Sequence, residues 1–311
     1  MKKIVALILL VCMALSLVAC ADNGNQTPKD TTPDSTTPEI TMQEIYDANL
    51  TDTLLKKHSS ITIQDEIDGV LYNERYLTRE YVYSYIPGAD EASDWAEFTT
   101  EDAVYTYMSG EYVRYLPITP DGLSDGFAGA FAEKYASTVL SEDILKDTIE
   151  SVSQKDGRIT VKSVADKEAM AELGVASAKS EFTLDAKTYE LISLKSDFTY
   201  EDGSAFGAVT TVAYDAEAPE KIDAFLKYAN QTENLRNVTV ISNPGTDKEE
   251  SKSIQAPKEL VIGFRYDEDN TYHFELYTDA ACTEAYDPYG DTDSDITVYI
   301  KWTEQEQTEE Q

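Results

Sequence analysis

The sequence predicts an α+β fold in which antiparallel strands, packed by a few short helices, make up most of the chain. Three observations predict it. Tight-turn dipeptides separate runs of alternating apolar and polar residues, most clearly Asp68-Gly69 after Ile61, Ile63 and Ile67. Residues 178–214 read as a three-stranded meander, with strands over 179–184, 191–200 and 209–214. Helical periodicity is confined to short windows opening near Thr41, Phe127, Asp166 and Pro219.

The elements follow in order. Thr41-x-x-Glu44 is a capping box, and Met42, Ile45, Ala48, Leu54 and Leu55 give one helix expected to end near His58. Ile61, Ile63 and Ile67 then alternate with Thr62, Gln64 and Glu66 in a strand. A two-residue loop at Asp68-Gly69 pairs Ile67 with Val70, Asp65 with Tyr72 and Ile61 with Tyr76. That register puts Val70, Tyr72 and Tyr76 on the isoleucine face and Arg75 opposite Thr62 on the other face. It also puts Glu74 across from Ile63 on the apolar face. Either Glu74 lies near an open rim, or the register is off by one.

Further strands are expected over 80–86, 95–99, 103–108 and 111–116, followed by a loop over 117–126. Nine of the 21 tyrosines fall between Tyr72 and Tyr115, which suits strands whose rings are half buried while their hydroxyls stay wet. From Phe127 to about Ile149 the pattern is helical, interrupted near Ser141, where a second short helix starts. Lys155-Asp156-Gly157 turns a hairpin between 148–154 and 158–164, and Asp166–Gly174 is a short helix. Pro219 opens a helix through Tyr228, and Val238–Ser242 is a strand. The organisation expected is a main domain over 41–242, a Pro-Gly and charge-rich linker over 243–256, a small β module over 257–303 and an acidic tail over 304–311.

The first twenty residues set the location. Lys2 and Lys3 precede an almost unbroken apolar run from Ile4 to Leu17, and Leu17-Val18-Ala19-Cys20 closes it. This is the pattern of a secretory signal, and the run falls short of the roughly 20 residues a membrane span needs. The Leu-Val-Ala-Cys sequence resembles a bacterial lipobox. The resemblance implies cleavage of residues 1–19, lipidation of Cys20 and a protein held at the extracytoplasmic face of the cell membrane. Residues 20–40, rich in threonine and proline and free of aromatics, read as a disordered spacer.

Composition narrows the function. With Lys2 and Lys3 removed, the net charge moves from −34 to about −36, and so acidic a chain is not expected to bind nucleic acid. Cys12 leaves with the signal and Cys20 carries lipid, so Cys282 has no partner for an intrachain disulfide. His58 and His273 sit in no motif, and no GxSxG, HExxH, Walker-type or GxGxxG sequence occurs. Neither an enzyme nor a cofactor is expected. Asp291, Asp293 and Asp295 in DPYGDTDSD are a calcium candidate by spacing, but the central glycine and distal glutamate of the helix–loop–helix calcium motif are absent. Phe127, Phe131 and Tyr135 recur at i, i+4 and i+8 and place an aromatic stripe on one helix face. That stripe is either core or a lid over a groove lined by Tyr72 and Tyr76.

The order of elements, with FTLDAKTYELISLKSDFTYEDGS and then AVTTVAYDAE, resembles the periplasmic lipoprotein-carrier superfamily over about residues 41–230. The resemblance implies a curved antiparallel half-barrel covered by helices, with an apolar cavity for acyl chains. FELYTDAACTEAYDP followed by SDITVYIKW is similar to the Listeria–Bacteroides surface repeat, through Tyr277, Thr278, Asp279, Ile296, Val298, Tyr299 and Trp302. That implies a β-grasp-like spacer or adhesion module. The function expected is binding of a hydrophobic or amphipathic ligand in a sheet–helix cleft. The alternative is a surface spacer or interaction lipoprotein with a packed core.

Overall fold

Strands dominate the fold, as the alternating apolar runs require, and every described helix is short. The computed structural model describes residues 39–90, 93–120, 122–123, 131–132, 139–172, 174–266, 272–290 and 292–304. In chain order, α1 (Met42–Ala48) and α2 (Thr51–Leu55) precede β1 (Ile61–Ile67), β2 (Val70–Leu77), β3 (Val82–Ile86) and β4 (Trp95–Thr99). Then come β5 (Val104–Met108), β6 (Glu111–Thr119), β7 (Gly122–Leu123), β8 (Thr148–Lys155) and β9 (Arg158–Val164). α3 (Lys167–Glu172), β10 (Val175–Asp185), β11 (Leu191–Tyr200), β12 (Ala205–Tyr214) and α4 (Lys221–Ala229) follow. The chain closes with β13 (Leu235–Ser242), β14 (Glu250–Pro257), β15 (Val261–Arg265), β16 (Tyr272–Tyr277) and β17 (Ile296–Glu304). The described residues fall into two compact units that interleave along the chain, one from 39–79 and 139–216, the other from 80–132 and 217–304.

The first unit is an open antiparallel sheet in the order β2-β1-β12-β11-β10-β9-β8, joined by α1, α2 and α3. Its hairpins are those the turn residues dictate. Asp68 and Gly69 adopt φ of 51° and 79°, and Asp156 and Gly157 adopt 52° and 74°, as a type I′ turn requires. The Asp185–Thr188 turn is held by its own side chain. Asp185 Oδ1 accepts from the amides of Lys187 at 2.8 Å and Thr188 at 3.0 Å, and these bonds hold its carboxyl below the usual range.

Two expectations fail here, each for a local reason. The helix from Thr41 keeps its capping box but breaks after Ala48, because Asn49 turns its side chain back onto backbone. The β1–β2 register starts as expected at Ile67 and Val70, then slips at a bulge between Asp65 and Glu66. Tyr72 is the extra residue. Beyond it Ile61 faces Leu77, Thr62 faces Tyr76 and Ile63 faces Arg75. Tyr76 and Glu74 therefore leave the isoleucine face, and Asn73, Arg75 and Leu77 take their place.

The second unit has an antiparallel run β3-β4-β5-β6, with β15 parallel to the far side of β6. A second sheet runs β14-β13-β17-β16, in which β13 and β17 are parallel. Leu116, Ile118, Ile262 and Phe264 from the first of these sheets share a core with Val238, Val240, Ala256, Val298 and Ile300. Ile296 and Trp302 pack against that core, so the expected alternation of the last strand holds. The connector expected over 243–256 is half strand, because β14 pairs along the whole of β13. The loop expected from 117 is strand as far as Thr119, because β15 lies beside Pro117 and β7 pairs with Ile118 and Thr119. α4 packs on the other aromatic surface: Phe225 stacks on Phe98 at 5.7 Å and meets Tyr112 edge-on at 5.2 Å.

Candidate ligand-binding face

Of the residues expected to line a ligand groove, the structure describes Tyr72, Tyr76 and Phe131. Tyr76 is buried on the face opposite Ile61 and Ile63, and its hydroxyl donates to the Ala216 carbonyl at 3.3 Å. Tyr72 sits at the β2 bulge. Phe131 is buried in the second unit, whereas both tyrosines belong to the first. Phe127 and Tyr135 lie outside the described residues, as do Cys20 and the segment from 1 to 38. Of the acidic turn, Asp291 lies outside the described residues. Asp295 directs both oxygens to Asn237, at 2.7 Å to its amide and 2.9 Å to its side chain. Among the described residues no three acidic, histidine or cysteine side chains are placed to hold a metal ion.

The face that emerges instead is the isoleucine face of the first sheet, and it changes character along the strands. At one end it is sealed. Ile61, Ile63, Leu77, Leu191 and Leu184 are buried there, and Ile45, Leu54 and Leu55 of the helices are buried as well. Burying a side chain of that size contributes about 1.5–3 kcal/mol, so this end holds the unit together.

Asn49 and His58 fix the helices at that end. Asn49 is fully buried; its Nδ2 donates to the carbonyls of Ile45 at 2.7 Å and Tyr189 at 3.0 Å, and its Oδ1 accepts from the Leu191 amide at 2.7 Å. His58 stacks on Tyr214 with ring centroids 4.5 Å apart. Its Nδ1 lies 2.8 Å from Asp215 Oδ2 and its Nε2 lies 3.3 Å from Glu190 Oε2. Carboxylates only accept, so both bonds form together only with the imidazolium. The His58 contact and the Ser59 amide and hydroxyl hold the Asp215 carboxyl down at about 2. Burial pushes the Glu190 carboxyl up, but the bonds from Lys57 and His58 outweigh it and leave it lowered.

At the other end the same face is half buried and mixed. Asp65 sits between Asn73 on β2 and Thr210 on β12. Its Oδ1 accepts from the Thr210 hydroxyl at 2.7 Å, and its Oδ2 faces Asn73 Nδ2 at 3.4 Å and Arg75 Nη2 at 3.5 Å. Further along, Phe206 faces Phe198 across β11 and β12, stacked at 4.7 Å, with Tyr200 against Phe206 at 5.6 Å. The Tyr200 hydroxyl is covered and has no hydrogen-bond partner among the described residues. The face thus carries three half-buried rings and, further along the strands, an arginine with unused donors.

Comparison with known proteins adds little to this geometry. No family model matches the chain. No curated protein matches it either. Among solved structures it is similar to a crystal structure of MucB, at 14% identity and a TM-score of 0.24, over 58% of this chain and 60% of that one. It is also similar to the complex structure of Pseudomonas aeruginosa MucA/MucB, at 15% identity and a TM-score of 0.23, over 58% and 59%. The chain thus spans about 60% of the length of the MucB chain. At that TM-score the MucB likeness is too loose to assign a site, and the residues have to do so.

A further charged cluster lies in the second unit. Asp94 is buried and accepts from Lys221 at 2.8 Å, Tyr85 at 2.8 Å and the Gly88 amide at 2.9 Å. These bonds, the Lys221 one foremost, hold its carboxyl down at about 2. Lys221 also sits 3.8 Å over the Tyr85 ring. Every partner is a neighbour in the fold, so the cluster staples α4 to β3. No described helix is long and apolar enough to cross a membrane. Sequence reasoning missed Arg75, Phe198 and Phe206. A bulge hid the first, while Phe198 was given no role beyond its strand and Phe206 fell outside the strand expected over 209–214.

Proposed function

We propose that this chain is an extracytoplasmic, lipid-anchored binding protein, not an enzyme, and that it takes an amphipathic ligand on the isoleucine face of its first sheet. One observation carries the reading: a single face runs from sealed core into half-buried aromatics with a polar cluster between them. A face that served packing alone gains nothing from stopping short of Phe198, Phe206 and Tyr200. The half-barrel curvature implied by the lipoprotein-carrier resemblance fits an open sheet of this order, and the lipobox supplies the anchor.

The test uses the chain from residue 20 onward with Cys20→Ser, which keeps every described residue. It should carry co-purified lipid in native mass spectrometry and take up a fluorescent fatty acid. Phe206→Glu, at a half-buried site, should abolish uptake while the far-ultraviolet circular dichroism stays unchanged. A lipid-free protein with no uptake would establish the spacer reading, in which the core is simply packed.

A further inference from the structure

We infer that the polar end of the ligand is an anion, a carboxylate or a phosphate, and that Arg75 receives it. This rests on the reading of the face as a ligand site. A guanidinium presents five N–H donors in a rigid fork. Among the described residues Arg75 uses one of them, in a single long contact of 3.5 Å to Asp65. Its Nε is buried and bonded to nothing among those residues. The side chain is 16% exposed, and Nη1, which makes no hydrogen bond among the described residues, is not covered and stays open to a ligand.

Asp65 is in the opposite condition. Thr210, Asn73 and Arg75 already occupy its two oxygens. A cluster whose acceptors are mostly engaged and whose donors are idle favours a ligand group rich in acceptors over an amine. The tail has a place to lie. From Thr210, level with Asp65, to Phe206 is four residues along β12, or about 13 Å at ~3.3 Å per residue. That stretch passes Ala208 and ends on the stacked rings. The net charge of −34 repels anions at a distance, so capture depends on contact with Arg75 and the rings rather than on steering.

Affinities of four probes sharing one tail test this on the chain from residue 20 onward with Cys20→Ser: dodecanoate, dodecyl phosphate, dodecanol and dodecyltrimethylammonium. At least one anion should bind about tenfold or more tighter than the alcohol and the ammonium. Whichever anion leads identifies the source, a free fatty acid or a phosphate head group. Arg75→Gln should erase the ratio of anion to alcohol affinity. Asp65→Asn, which keeps Arg75 and removes its competitor, should raise that ratio, and it serves if Arg75→Gln fails to fold. Equal affinity for dodecanol and both anions, or a ratio unmoved by either substitution, would overturn the assignment of Arg75 and leave the ligand face standing. If none of the four binds, the proposed function falls and this inference with it.

Discussion

Asn49 is uncharged and fully buried, yet it spends its side chain on backbone from two distant segments, the α1 terminus and the start of β11. Asn49→Ala strips the Leu191 amide and the Tyr189 carbonyl of their partner. Leaving buried groups unsatisfied costs about 1–3 kcal/mol each, so a loss of about 2–4 kcal/mol is expected in urea unfolding. An unmoved midpoint would show that water takes over the site. Asp147 behaves in the opposite sense. Burial pushes its carboxyl up to about 6, against the bond from Ser163, and Asp143 and Asp166 push the same way. The raised value means that the fold favours the protonated form. Its stabilising contribution is complete below the unfolded value of 3.8 and is lost as pH climbs through about 6. Asp147→Asn should therefore add stability at pH 7, by roughly 1 kcal/mol after discounting for solvent screening, and change little at acid pH. A variant less stable than wild type at both pH values would show that the burial account is wrong. Residues of this kind are hard to read from sequence, since burial is a property of the fold.

At the scale of elements, the hairpins were the most legible feature. Asp68-Gly69 and Asp156-Gly157 require positive φ, and the chain supplies it where the dipeptides stand. The bulge at Tyr72 was legible only as a discrepancy, in the placement of Glu74 opposite Ile63. One inserted residue resolves it and moves Arg75 onto the apolar face. β15 left no signal of its partner, because a parallel pairing with β6 is made by residues far apart in sequence. That pairing has its own signature in space. Gly263 faces Tyr115, and a Cβ there would lie 2.8 Å from the tyrosine ring. Gly263→Ala is expected to cost about 1–3 kcal/mol in thermal or urea unfolding. Adding Tyr115→Ala should recover part of the loss, a coupling that two independent sites would not show. A fully additive double variant would mean that the ring is not what excludes the methyl.

For the whole molecule, the legible part was its class. The sequence announced an α+β chain rich in strands, and the described residues are one. The lipid anchor is a separate expectation with a direct test: Cys20→Ser should move the protein from the membrane fraction to the soluble extracytoplasmic fraction. Unchanged membrane retention would mean that Cys20 is not the anchor. The division into units was not visible, because composition shifts near 243–256 pointed to a linker where the fold has a strand.

That interleaving has a consequence for how the protein is made. β1 finds its neighbour β12 only after the whole intervening stretch, much of it belonging to the other unit, has been synthesised. β13 in turn waits for β17 at the far end of the chain. Neither unit is a contiguous fragment: the first is complete only once residue 216 is made and the second only with its last strand, so a nonsense mutation before 216 spares neither. Until the last strand arrives, the newborn chain carries open strand edges that invite pairing with other molecules. Keeping those edges solitary in the meantime is a task to which the dense negative charge spread along the chain is well suited.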